Sequence, residues 1–184
     1  MTSPLPVAFV AGKSGLWRIE TVKPVIGDSL PAATRLTVIE DVDRQAHDDC
    51  AWILRGVTSN IRYTNRREAD ALASQQQGLN RSEAVRAALI PIRKNAAWWA
   101  LTQDERRAVF EEQSQHIGIG MTVLPEVSRR LHHARDLGGP FDFLTWFEYA
   151  PAQADAFETM VAQLRATPEW RYVDWEIDIR LSRA

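Results

Sequence analysis

The stretch FDFLTWFEYAPAQADAFETMVAQLRATPEWRYVDWEIDIRL, Phe141 to Leu181, decides the fold because two alternating runs flank a helical one. In the first run Phe141, Phe143, Thr145, Phe147 and Tyr149 alternate with Asp142, Leu144, Trp146 and Glu148, the period of two that a strand requires. Phe157, Met160, Val161 and Leu164 then fall on one helical stripe, which Thr167-Pro168 ends. The last run returns to a period of two, with Val173, Trp175, Ile177, Ile179 and Leu181 on its apolar face.

Outward from this unit the same rhythm recurs. PVAFVA, LWRIETVKPV, TRLTVIEDV and CAWILRGVTSNIRYTN read as strands, and READALASQQQG as a helix stopped at Gly78. Gly12-Lys13-Ser14-Gly15 lacks the glycine a phosphate loop needs five residues earlier, so it predicts a hairpin turn between the first two strands. His47 sits among acids in the polar loop DRQAHDD and is expected to be solvated. RSEAVRAALIPIRK begins helically and changes conformation near Pro91. Thr102-Gln103-Asp104-Glu105 has the pattern of a capping box and predicts a helix through RRAVFEEQSQH, with Val109, Phe110, Gln113, His116 and Ile117 on one face. Gly118 and Gly120 loosen the chain, and Pro125 opens a second helix, PEVSRRLHHARDL. The succession predicts an α+β fold of ferredoxin-like arrangement, with helices packed on one face of an antiparallel sheet.

At 184 residues the chain suits one domain. A net charge of -2 supplies no attraction for nucleic acid. The lone cysteine, Cys50, cannot form an internal disulfide, and no run reaches the length of a membrane span, so a reducing, cytoplasmic setting is expected. Seven tryptophans are the compositional oddity, since such rings fill cores, interfaces or the walls of pockets for flat ligands.

Taken singly, the candidate groups stay ambiguous. His116 is either a cation at a helix C-terminus or an axial ligand to a metal in an apolar pocket. Arg129, His132 and His133 read as a solvated cationic helix face, Lys94 as a charged turn, and Glu169 as a solvated residue at a strand start. Trp99 and Trp146 are assigned to packing.

Three segments together say more: IPIRKNAAWWALTQDERRAVFEEQSQHI (90–117), LPEVSRRLHHARDLGGPFDFLTWFEYAP (124–151) and LRATPEWRYVDWEIDIRL (164–181). In order and spacing they resemble the haem-containing chlorite dismutase family, in its short-chain branch. The resemblance runs from about Trp52 to the C-terminus and is strongest from Ala88 to Arg180.

The resemblance implies a dimeric α+β barrel and a single haem-binding domain over 1–184, with a shortened N-terminal part at 1–51 and the main haem-binding part at 52–184. It implies haem b held by His116 as the iron ligand, with Glu169 hydrogen-bonded to the other ring nitrogen. Tyr63, Lys94 and Trp98 would touch the haem propionates or rim, Leu124, Thr145 and Phe147 would form the distal wall, and Arg129 would be the distal catalytic cation. One straight helix would set Arg129 roughly 20 Å from His116, so a break around Gly118 to Pro125 is required. The implied reaction converts chlorite to chloride and dioxygen through a ferryl intermediate. Coproheme decarboxylase, in the same structural family, is the enzymatic alternative, and Arg129 argues against it. A haem carrier or sensor without turnover is the other. The short N-terminal part goes with homodimers.

Overall fold

The computed structural model describes residues 4–41, 50–58 and 63–183. Eight strands close into an antiparallel barrel: β1 (Pro6–Gly12), β2 (Trp17–Ile26), β3 (Arg35–Glu40), β4 (Trp52–Val57), β5 (Arg86–Lys94), β6 (Ser128–His133), β7 (Phe143–Tyr149) and β8 (Val173–Ser182). Around the barrel they run β1-β3-β2-β8-β5-β7-β6-β4. Each half therefore has one internal order, fourth, first, third, second, although no sequence repeat announces it. The halves join along a long β2–β8 seam, whereas β4 meets β6 only at Val57 and His133.

Helices fill the connections of the second half. Between β5 and β6 lie α2 (Ala96–Ala100), α3 (Gln103–Arg107) and α4 (His116–Met121); α5 (Ala154–Arg165) joins β7 to β8. In front of them, α1 (Arg66–Gln75) connects the two halves. The sheet of β5, β7 and β8 thus has two covered faces. One side contributes Leu89, Leu144, Trp146, Ile177, Ile179 and Leu181 to the barrel interior, alongside Phe9, Trp17 and Leu36. The other packs Ala88, Ile90, Phe147 and Tyr149 against Phe157, Met160, Val161 and Leu164 of α5.

The alternating runs at β7 and β8 and the stripe of α5 form as expected. Elsewhere pairing overrides local preference. The segment Arg86–Lys94 is strand throughout, held on both sides by β7 and β8. The fourth strand is short, Trp52–Val57, and residues 59–62 of that reading lie outside the described residues, as does His47. Gly12–Gly15 does not make a β1–β2 hairpin, because β3 lies between those strands and pairs along the whole of β1. Gly15, at φ 145°, is pressed so close that a Cβ there would stand 2.5 Å from the Leu36 backbone.

The expected second helix at PEVSRRLHHARDL is instead β6, paired with β7 from Ser128–Glu148 to His133–Phe143. Its sequence has no apolar alternation, yet a neighbouring strand claims its backbone hydrogen bonds. Consequently His132 is not a surface group: it is fully buried, edge-on to Phe9 at 5.1 Å, with Nδ1 3.0 Å from the Leu144 carbonyl and Nε2 without a partner among the described residues. Gly56 permits this approach, since a Cβ there would come within 2.6 Å of the His132 Cβ.

Burial pushes the His132 imidazole down to about 4; the Leu144 carbonyl and Glu40 oppose the shift, while Arg130 and His133 reinforce it. The unfolded chain, with an ordinary value of about 6.5, binds the proton first. His132 therefore costs no stability above about pH 6.5 and costs progressively more as pH falls to about 4. Replacing it by leucine removes the orphaned nitrogen as well as the proton site. Urea midpoints measured from pH 7 to pH 4 should fall less steeply in His132→Leu than in the natural chain; parallel profiles would exonerate this residue.

Candidate active site

Between the helical face of β5, β6 and β7 and the helices α1, α4 and α5 lies a cavity of about 790 Å³. Its walls are mainly apolar, from Ile90, Ile92 and Phe147 of the sheet to Met160, Val161 and Leu164 of α5.

The approach to His116 is not one uninterrupted helix. α3 starts as expected, with the Thr102 amide donating to the Glu105 carboxylate at 2.7 Å. It then widens into a π-helical turn over Ala108–Gln113, and Gln115 takes the left-handed conformation at φ 50°. A non-glycine residue there is uncommon and breaks the helical path. His116 therefore opens α4 instead of ending a long helix, and the Glu111 carboxylate accepts from the Ile117 amide at 2.7 Å. Gly118 and Gly120 are helical; the chain turns only after Met121, before β6.

The His116 ring is clamped. Phe110 stacks on it at 4.3 Å, Trp170 lies parallel at 6.4 Å, and Nδ1 is 2.6 Å from Glu169 Oε2. Glu169 is not the solvated residue its position suggests, being 4% exposed in the 3-10 turn Pro168–Tyr172. Its amide donates to Ser114 Oγ at 3.0 Å, and its second oxygen accepts from Lys94 Nζ at 2.7 Å. Burial by itself would raise the Glu169 carboxyl, but the charges and hydrogen bonds of His116 and Lys94 outweigh it and bring the group down to about 2. Lys94, equally buried, leans its ammonium over the Trp98 ring at 4.4 Å.

Across the sheet Arg129 projects from β6 into the same cavity, with its guanidinium near Gly120 of α4. Burial lowers its pKa, and among the described residues no carboxylate pairs with it. Tyr63, Trp98, Thr145 and Phe147 also line the cavity, whereas Leu124 is buried outside its lining. The Trp98 indole N–H is buried without a partner among the described residues. Trp146 is core, and Trp99 packs between the Arg135 guanidinium and Phe143 while donating to Asp142.

Some lining groups lack a conspicuous motif. Ala69, Leu72 and Ala73 of α1 face the cavity at helical spacing, a stripe visible in retrospect. Glu176 lies on the face of β8 opposite its apolar run, holding the Trp170 indole at 2.8 Å and pairing with Arg165 of α5. The strict alternation of Glu176, Asp178 and Arg180 marks that face, but not its burial.

A largely apolar cavity on the helical side of an antiparallel barrel, with a carboxylate-braced imidazole in one wall, defines an α+β barrel protein. More particularly, the chain belongs to the chlorite dismutase family, whose profile, described as chlorite dismutase, matches residues 38–184. The dimeric chlorite dismutase of Nitrobacter winogradskyi is 56% identical with a TM-score of 0.89, over 97% of this chain and 99% of that one. A mutant chlorite dismutase from Candidatus Nitrospira defluvii shares the fold, with a TM-score of 0.70 at 17% identity over 98% of this chain and 91% of that one. The chlorite dismutase of Ideonella dechloratans is 31% identical over 132 residues, 70% of this chain and 44% of that protein. The chain thus spans less than half the length of that relative.

Removing the ammonium from the Lys94–Glu169 pair leaves a buried carboxylate with one partner fewer. Lys94→Met should lower the unfolding free energy of the ligand-free protein by roughly 3 kcal/mol, and adding Glu169→Gln should recover part of that loss. Chemical denaturation at pH 7 checks both; a Lys94→Met protein as stable as the natural one would show that the pair is not worth its geometry.

Proposed function

We propose that the cavity binds one haem b and that the protein converts chlorite to chloride and dioxygen. The observation that carries this reading is the 2.6 Å contact between His116 Nδ1 and Glu169 in a cavity that Arg129 also enters. The volume of about 790 Å³ falls in the range of pockets that enclose cofactor-sized molecules. The Trp98 indole N–H, unpartnered among the described residues, and the Arg129 guanidinium, with no carboxylate beside it among them, are donors suited to an anionic ligand and its carboxylate tails. Among the described residues no group of three or more His, Cys, Asp or Glu could hold a metal ion. A lone braced imidazole suits a metal that arrives with its own macrocycle.

In this reading Glu169 accepts a hydrogen bond from His116 Nδ1–H, which fixes the tautomer that leaves Nε2 free to hold the iron and would increase donation through the ring. Lys94 supports Glu169 from its other oxygen, and Tyr63 and Trp98 approach the rim. When bound, haem b supplies an iron centre able to take an oxygen atom from chlorite and return it in O–O bond formation. Arg129, cationic at working pH, would bind and orient the substrate oxyanion in the cavity. Thr145 and Phe147 would exclude water on that side. We further infer that each four-stranded half is ferredoxin-like, supported by their shared strand order. A homodimer is supported by the dimeric relative at 56% identity, and a cytoplasmic setting by the single cysteine.

Reconstitution with haem b tests the assignment directly. His116→Ala should lose the Soret band of stoichiometric haem; an unchanged band would refute the ligand assignment. Arg129→Ala should retain that band but evolve dioxygen from chlorite at least about tenfold more slowly and bleach within fewer turnovers. An oxygen electrode reads both effects, and a natural protein that binds haem yet evolves no dioxygen would be a carrier and not this enzyme.

A further inference from the structure

The helix α1 is held in an unusual way. None of its ten residues is buried, although Ala69, Leu72 and Ala73 form an apolar stripe, and that stripe faces the cavity. A helix this short has little stability of its own, and packing on a core normally supplies it. Here polar bonds at its two ends take that role. At the N-terminus Asn65 and Glu68 cap each other reciprocally, each amide donating to the other's side chain at 2.9 Å. Arg107, the last residue of α3, grips Glu68 with both terminal nitrogens, at 2.7 and 2.6 Å, and also donates to the Tyr63 carbonyl. Just beyond the C-terminus the Gln76 side chain donates to the Arg129 carbonyl of β6.

We propose that α1 is the cover of the pocket and that Arg107 is its latch, so that Arg107 determines how fast a bound planar ligand escapes. The inference rests on the haem-binding reading above. Arg107 does not line the cavity; it is a positioning residue that acts through Glu68 and Tyr63. Its fork engages one carboxylate and one carbonyl at once, a geometry lysine cannot reproduce. The pair is also partly withdrawn from solvent, with side-chain exposures of 24% and 20%, so screening weakens it less than a surface pair. Because Arg107 directly precedes the π-helical turn leading to His116, the latch ties the cover to the segment that carries the proposed ligand. A ligand in the cavity would lie against the stripe of α1, and leaving by that side would require the cover to lift.

The experiment loads the full chain with ferric haem b and follows haem transfer to excess apomyoglobin by the Soret band. Arg107→Ala and Glu68→Gln should each speed release about tenfold, with Arg107→Lys in between. Because either change removes the Arg107–Glu68 link, the double variant should release haem no faster than Arg107→Ala alone instead of multiplying to a hundredfold. Melting of the haem-free proteins is measured in parallel, and Glu68→Gln alone decides the matter if Arg107→Ala fails to fold. Release within twofold of the natural protein in Glu68→Gln, or fully multiplicative single effects, would overturn the latch while leaving haem binding intact. Failure of the natural protein to retain haem would overturn the haem-binding reading, and the latch with it.

Discussion

The structure is organised around one buried carboxylate. Glu169 sits where three stretches meet: the end of β5 through Lys94, the start of α4 through His116, and the turn into β8 that Glu169 itself occupies. A carboxylate 4% exposed is expensive unless its lone pairs are used. Here they are, and the backbone amide is used as well, by Ser114. The arrangement fixes the imidazole by making any other orientation of Glu169 worse. The break that precedes His116 becomes intelligible in the same terms. The π-helical turn and the left-handed Gln115 interrupt the path from α3, and α4 starts afresh with the His116 ring against Glu169.

The second constraint is that β5, β7 and β8 have no free face. An antiparallel sheet in a small protein commonly leaves one side to water, and alternation then separates apolar from polar residues. In β8 the polar side is covered by α5, so Glu176 and Asp178 are buried and Arg165 pairs with both from the last turn of that helix. Arg180 completes the network on Asp178 and Glu158. The helix could not dock with those charges unpaired, and this pairing helps set the wall that Met160, Val161 and Leu164 present to the cavity.

These constraints explain what was legible in the sequence. β7, α5 and β8 could be read because their apolar periodicity follows directly from the core they build. β6 could not, because SRRLHH is covered on one side by the barrel interior and opens on the other into a cavity, so neither side selects a simple alternation. The β1–β2 hairpin failed for another reason: a short connection predicts neighbours, but β3 inserts between them through contacts distant in sequence. For the site, single residues were ambiguous, and the ordered motifs resembling a family brought His116, Glu169, Lys94, Trp98, Tyr63 and Arg129 together. The cavity gathers those six, whereas Leu124 stays outside its lining. Nothing in the alternation of β8 or the weak stripe of α1 revealed that one was buried beneath a helix and the other faced a void.

Arg129 shows why misreading β6 mattered. On a solvated helix face an arginine among other cations carries little information, since water screens each of them. On β6, facing a largely apolar cavity, the same guanidinium is partly withdrawn from water, and burial lowers its pKa with no opposing carboxylate among the described residues. An internal partner such as Glu169 would have relieved that cost and at the same time cancelled the field in the cavity. Glu169 instead is committed to His116 and Lys94. The fold thus commits Glu169 to the imidazole and the ammonium and leaves Arg129, facing the same cavity, with no carboxylate partner among the described residues.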